Sequence, residues 1–182
     1  MLHFKNKDYG PEHSREVINK ARDLTSDLNV SVRVARIAGK FVELDVGVEK
    51  EDLDTLVEIL SPIGPIDNIR HVIEEEIDKE QGIKDGIFYF NNERVWECHE
   101  AFEGVWKQCF WREKEIVNGI ILFAVAFAHA QEDDLKIGIG MLHRVLEKLG
   151  TSPSMYHSID VDRIRKNALE MQHENKLTRF EI

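Results

Sequence analysis

Residues 116–130 constrain this 182-residue chain more than any other segment, because they are apolar throughout except at Asn118 and His129. A run of that length falls short of the roughly 20 residues a bilayer span needs, and no apolar leader with a small-residue cleavage site opens the chain. A helix that is apolar on nearly every side has to be enclosed by other elements, so the run predicts the central helix of a bundle. Four helical stretches are expected, over about 91–108, 112–131, 133–149 and 160–175, the second of which contains this run. Asp133 and Asp160 stand as caps of the last two, and Gly150 with Thr151-Ser152-Pro153-Ser154 separates that pair.

The first part of the chain has a different periodicity. Leu2 and Phe4 alternate with polar neighbours, and the Gly10-Pro11 break follows. Val17, Ala21, Leu24 and Leu28 then lay one apolar stripe along a helix. Val30, Val32 and Val34 alternate on one strand and Val42, Leu44 and Val46 on the next, with Gly39 in the turn between them. A second helix over 51–60 buries Leu53, Leu56, Val57 and Leu60 and stops at Ser61-Pro62, and a last strand is expected over 66–73. The order strand, helix, strand, strand, helix, strand is the split βαβ pattern, which predicts a ferredoxin-like βαββαβ sandwich. The class is therefore α+β: a ferredoxin-like domain at 1–76, a charged, glycine-containing linker at 77–86, and an all-helical bundle at 87–182.

Charge narrows the partners. The chain carries 24 Lys and Arg against 34 Asp and Glu, a formal net charge of −10, which opposes binding to a phosphate backbone. Only residues 1–40, with 8 basic and 5 acidic side chains, carry a positive excess. The two cysteines, Cys98 and Cys109, form neither a CxxC pair nor a disulfide framework, which suits a reducing cytoplasm. Gly138 and Gly140 lie within a helical pattern, so close helix packing is expected there and not a phosphate loop.

On a helical wheel, Val95, Trp96, His99, Phe102, Glu103, Trp106 and Phe110 fall within about 120° of one another. Glu103 is the exception in an otherwise apolar stripe. A carboxylate on an inward face costs several kcal/mol unless it is paired, hydrogen-bonded or protonated, and His99, one turn earlier, is its natural partner. Glu97 and Glu100 flank the stripe and are expected at its rim, as solvated charges.

These residues resemble a known family. Tyr89-Phe90-Asn91, the run Trp96-Glu97-Cys98-His99-Glu100, then Glu103 and Trp106, followed by Gly119-Ile120-Ile121-Leu122, Ala124, Ala126 and His129, are similar in order and spacing to the signature of domain of unknown function family three hundred and nine. The resemblance spans about residues 88–150 and implies an all-helical domain of bacteria and archaea without an established activity. Leu122 stands where that family usually has Gln, and Lys114 where an Arg is common, so a site using those polar groups is reduced in this chain.

Two readings of the matched residues compete. In one, Glu97, His99, Glu103, Trp106 and His129 form a buried or pocket-lining polar cluster that binds a ligand or fixes the helix register. In the other, His99, Glu103 and His129 ligate a divalent metal ion and Glu100 of the HExxE helix is the general base of a hydrolase. Spacing supplies no third ligand, which favours the first. The ferredoxin-like unit is expected to be an interaction module. It would pair with a second copy through an edge strand or an exposed sheet face including Arg33, Phe41, Glu43 and Asp45. RNA binding or regulation through that sheet is a further alternative, weakened by the absence of an aromatic-rich strand motif.

Overall fold

A computed structural model of the chain describes residues 1–72 and 78–182. The class is α+β, and the chain divides into two compact units, residues 1–74 with 131–133 and residues 75–130 with 134–182.

The first unit contains β1 (Leu2–Lys5), α1 (Ser14–Leu24), β2 (Ser31–Ile37), β3 (Phe41–Gly47), α2 (Leu53–Ile59) and β4 (Ile66–Ile69). Single 3-10 turns at Pro11–His13 and Lys50–Asp52 lead into the two helices. Proline suits such a start because its fixed φ fits a helical turn and its missing N–H would lack an intrahelical partner there. The strands form one antiparallel sheet in the order β2-β3-β1-β4, with Leu2 opposite Leu44 and Ile69, and Phe4 opposite Val42. Alternation then puts Leu2, Phe4, Ile37, Val42 and Leu44 on one face, where they form a buried core with Val17, Ala21, Leu56 and Leu60. The buried Ser14 hydroxyl donates to the Ala35 carbonyl at 2.8 Å, tying the start of α1 to β2. The expected last strand is shorter than 66–73, and Ile73 lies outside the described residues.

The opposite sheet face corrects the expectation of an exposed pairing surface. Phe41 and Glu43 are buried, whereas Arg33 is exposed beside Asp45, its ion-pair partner at 3.0 Å.

The second unit contains α3 (Lys79–Asn91), α4 (Val95–Lys107), α5 (Trp111–Gln131), α6 (Leu135–Leu149), a two-stranded hairpin of β5 (Met155–Tyr156) and β6 (Ile159–Asp160), and α7 (Val161–Glu174). Residues 79–86, read from their charge and glycines as linker, are the first turns of α3. Asp78 accepts a hydrogen bond from the Gln81 amide, and Gly82, Ile83 and Gly86 are buried. Residues 73–77 of the charged stretch lie outside the described residues. The hairpin is an addition to the expected all-helical pattern; its strands of two residues each are too short to show alternation.

The apolar run lies in α5, whose buried positions include Ile116, Val117, Ile120, Phe123, Ala124 and Ala126. Phe123 stacks on Phe90 of α3 with ring centroids 5.7 Å apart. Asp160 caps α7, accepting from the Arg163 amide at 2.9 Å. Asp133 does not cap α6. It adopts φ 66°, and Asp134, which precedes the helix, makes no side-chain cap bond.

A polar group joins distant segments of this unit. Glu113, in the first turn of α5, lies 2.6 Å from Lys79 Nζ of α3 and accepts from the Tyr156 hydroxyl at 3.1 Å. Burial alone would push the Glu113 carboxyl up, but the hydrogen bonds from Lys79 and Tyr156 and the Lys79 charge outweigh it and hold the group below its ordinary value. Its stabilising contribution is therefore present above pH 4.5 and is lost as pH falls through the lowered value. Lys79 is raised, chiefly by its hydrogen bond to Glu113, so its contribution is present below 10.5 and fades as pH rises through the raised value.

Two outcomes follow from this packing. A Cβ built on Gly138 would lie 2.4 Å from the Ala126 carbonyl oxygen, whereas one on Gly140 meets nothing within 4 Å. Gly138→Ala is therefore expected to destabilise the helical unit by ~1–3 kcal/mol, as overpacking against a backbone does. Gly140→Ala should stabilise it by ~0.5–1 kcal/mol through helix propensity. Urea denaturation followed by tryptophan fluorescence reads this unit alone, since Trp96, Trp106 and Trp111 all belong to it; equal effects at the two glycines would refute the close α5–α6 approach. In the same assay Glu113→Gln is expected to cost on the order of 1 kcal/mol at neutral pH. That deficit should shrink as pH drops to about 3, and a deficit independent of pH would contradict the Lys79 pairing.

Candidate functional site

The rotation of α4 about its axis decides which of its polar residues reach solvent. Its buried line runs through Val95, Cys98, Ala101, Phe102 and Val105. The close contact that sets this line is the Phe102 ring on Gly86 of α3, where a Cβ would lie 2.4 Å from the ring. The stripe expected from apolar spacing holds at Val95 and Phe102, which are buried, but the buried line is turned by about 100° away from its Trp96, His99, Glu103 and Trp106 members. Trp96 and Trp106 are only half-buried, and Phe110 lies beyond the helix end, 71% exposed.

The expected burial of the acidic residues is reversed. Glu103, predicted to be inward, is 50% exposed, whereas Glu97, predicted as a solvated rim charge, is 1% exposed. Glu97 is neutralised locally: the Arg94 Nε donates to its Oε1 at 3.0 Å, and the Arg94 guanidinium lies over the Tyr89 ring, 5.0 Å from the centroid. Cys98, beside it, is buried, and burial followed by the Glu97 charge pushes its thiol far above the ordinary range. Neither cysteine is an activated nucleophile, since burial and then Glu113 push Cys109 up as well.

His99 lies between two carboxylates on the outer side of α4. Its Nδ1 is 3.3 Å from Glu100 and its Nε2 is 3.5 Å from Glu103, while the ring stacks on the Trp96 indole at 4.7 Å and 20°. The imidazole itself is mostly shielded. Next along this side, Lys114 Nζ sits 3.9 Å from the centroid of the Trp106 ring. The i, i+4 spacing of His99 and Glu103 brings them together as expected. His129, on α5, does not complete a ligand set with them: the three do not place three ligand atoms within 4.8 Å of one another. The metal site and the hydrolase built on it have no such geometry, and His143 is exposed on α6.

A second polar row, in the first unit, was not recognised from sequence as one group. His3, Glu43 and Arg36 stand opposite one another on the adjacent strands β1, β3 and β2. Glu43 Oε1 accepts from Arg36 Nη1 at 2.6 Å, its Oε2 lies 3.2 Å from His3 Nε2, and all three residues are buried. Arg36 Nε also lies 2.7 Å from Glu132. One guanidinium thus lies between two carboxylates, with an imidazole beside one of them, so the buried charges are paired. The available signal was the alternation that puts His3, Glu43 and Arg36 on one sheet face. Lys79, Glu113 and Tyr156 gave no signal, being distant in sequence and ordinary in type.

Among the described residues no helix is long and apolar enough to cross a membrane. No curated protein and no solved structure matches the chain. The family described as Domain of unknown function (DUF309) matches residues 83–141, which contain α4, α5 and the His99–Glu103 pair.

Proposed function

We propose that the helical unit is a binding module whose outer α4 side, formed by Trp96, His99, Glu100, Glu103 and Trp106, holds a cationic group of a partner. The observation that carries this reading is the 50% exposed Glu103 carboxylate poised beside a shielded His99 ring. A pair serving only to fix helix register would bury both groups, whereas a half-exposed carboxylate retains lone pairs for a ligand. Lys114 supports the same chemistry, because its ammonium already occupies the Trp106 face in a cation–π contact. A partner Lys or Arg would meet the Glu103 carboxylate, and the chain's net charge of −10 would favour its approach.

The sheet unit is read as a ferredoxin-like module, supported by the order β2-β3-β1-β4 with antiparallel pairing and by the two helices joining the strands. Two buried, unpaired thiols suit a reducing cytoplasm. The buried Phe41 removes the one aromatic considered for base stacking on that sheet.

Titration of the isotope-labelled full chain with a tetra-arginine peptide at low salt tests the module. Amide shifts are expected along α4 from Trp96 to Trp106. Glu103→Gln should weaken binding about fivefold, near the upper end for an exposed ion pair. Glu170→Gln, which removes an equally exposed carboxylate on α7, should leave binding unchanged. Equal losses in the two variants, or shifts that avoid α4, would overturn the reading.

A further inference from the structure

We infer that the sheet unit carries a binding pocket of its own, for a small amphipathic anion with an apolar body and one acidic head. A cavity of about 430 Å³ opens at one end of the sheet, within the size range of small-molecule sites. Its apolar wall includes Leu2, Val46, Leu53 and Ile69, which come from β1, β3, α2 and β4.

The polar groups around that wall are mostly of one sign. Among the described residues, Arg33, Lys50, Arg70 and His71 line the cavity against one carboxylate, that of Asp45, which already pairs with Arg33 at 3.0 Å. Lys50 and His71 are exposed and make no ion pair among the described residues. This basic lining contrasts with its surroundings, since the unit as a whole holds 10 Lys and Arg against 16 Asp and Glu. Cations gathered over an apolar wall in an acidic unit complement a ligand that is apolar in body and negative at one end. An aryl or short alkyl carboxylate, phosphate or sulfonate has that form.

Gly47 keeps the cavity open. A Cβ there would lie 2.7 Å from Arg33 Nη2, so any larger residue displaces the guanidinium from its place beside Asp45. The pocket depends on none of the α4 residues assigned to partner binding, so the two readings fail or survive separately.

The test uses the full chain and two aromatic probes of similar shape, anilinonaphthalene sulfonate and the uncharged phenylnaphthylamine. The sulfonate is expected to bind with amide shifts confined to residues 1–2, 33, 45–53 and 69–72, and the neutral probe about tenfold more weakly. Lys50→Glu, a substitution of an exposed side chain, should weaken the sulfonate about tenfold and leave the neutral probe within twofold. Equal affinity for both probes, no effect of Lys50→Glu, shifts outside those segments, or self-association that shields them from both probes would each overturn the assignment. Gly47→Val is the steric arm: it should abolish binding of both probes with the fold retained by circular dichroism, and undiminished binding of either would count against this pocket.

Discussion

Phe102 packed on Gly86 is the contact on which the arrangement of the helical unit's polar residues depends. A residue with a Cβ at position 86 would hold α3 and α4 apart, because that atom would lie 2.4 Å from the ring. With the ring seated there, α4 buries Cys98, Ala101 and Val105 and turns Glu103 outward. Small side chains and a glycine let two helices approach closely, so the contact rests on shape as well as on buried apolar area. The same device recurs around α5, where Gly119 admits the Leu149 side chain and Gly138 admits the Ala126 carbonyl.

The charged residues of α4 differ in burial. Glu97, buried although it lies about 140° round the helix from Phe102, needs a nearby cation, and Arg94 provides it from one turn earlier. Glu100 and Glu103 flank His99 where water screens them, so their pairing contributes little to stability and remains available to a ligand. Polar groups in the sheet unit divide the same way. Arg36, Glu43 and His3 are buried and paired through Glu43, whereas Lys50 and His71 stand exposed around an apolar cavity.

Much of this architecture was legible in the sequence, and the failures share a cause. The strands were readable because Val, Leu and Phe alternate with polar residues over several positions, and the central helix because almost nothing in 116–130 is polar. The facing of α4 was misjudged because Trp96, His99 and Trp106 weigh heavily on an apolar scale while Cys98 and Ala101 weigh little. The seat at Gly86 takes the Phe102 ring, and Cys98 and Ala101 are buried on the same side of the helix. Residues 79–86 looked like linker because glycine and charge are common in loops, yet Gly82 and Gly86 are buried positions of α3. Asp160 was legible as a cap, while Asp133 was not excluded, since only the backbone shows it in the left-handed region at φ 66°. The pocket on the sheet unit depends on residues brought from β1, β2, β3, α2 and β4, and no local spacing encodes such a meeting.

Thiol accessibility tests the α4 setting most directly. Cys98 and Cys109 are 0% and 1% exposed, so the native protein should show no thiol reacting quickly with an aromatic disulfide reagent. Glu103→Cys should add one thiol per chain that reacts at the rate of an unhindered cysteine. Rapid labelling of Cys98 in the native protein together with protection of the introduced thiol at position 103 would mean that α4 is turned the other way, and the outward carboxylate on which the proposed module depends would be lost.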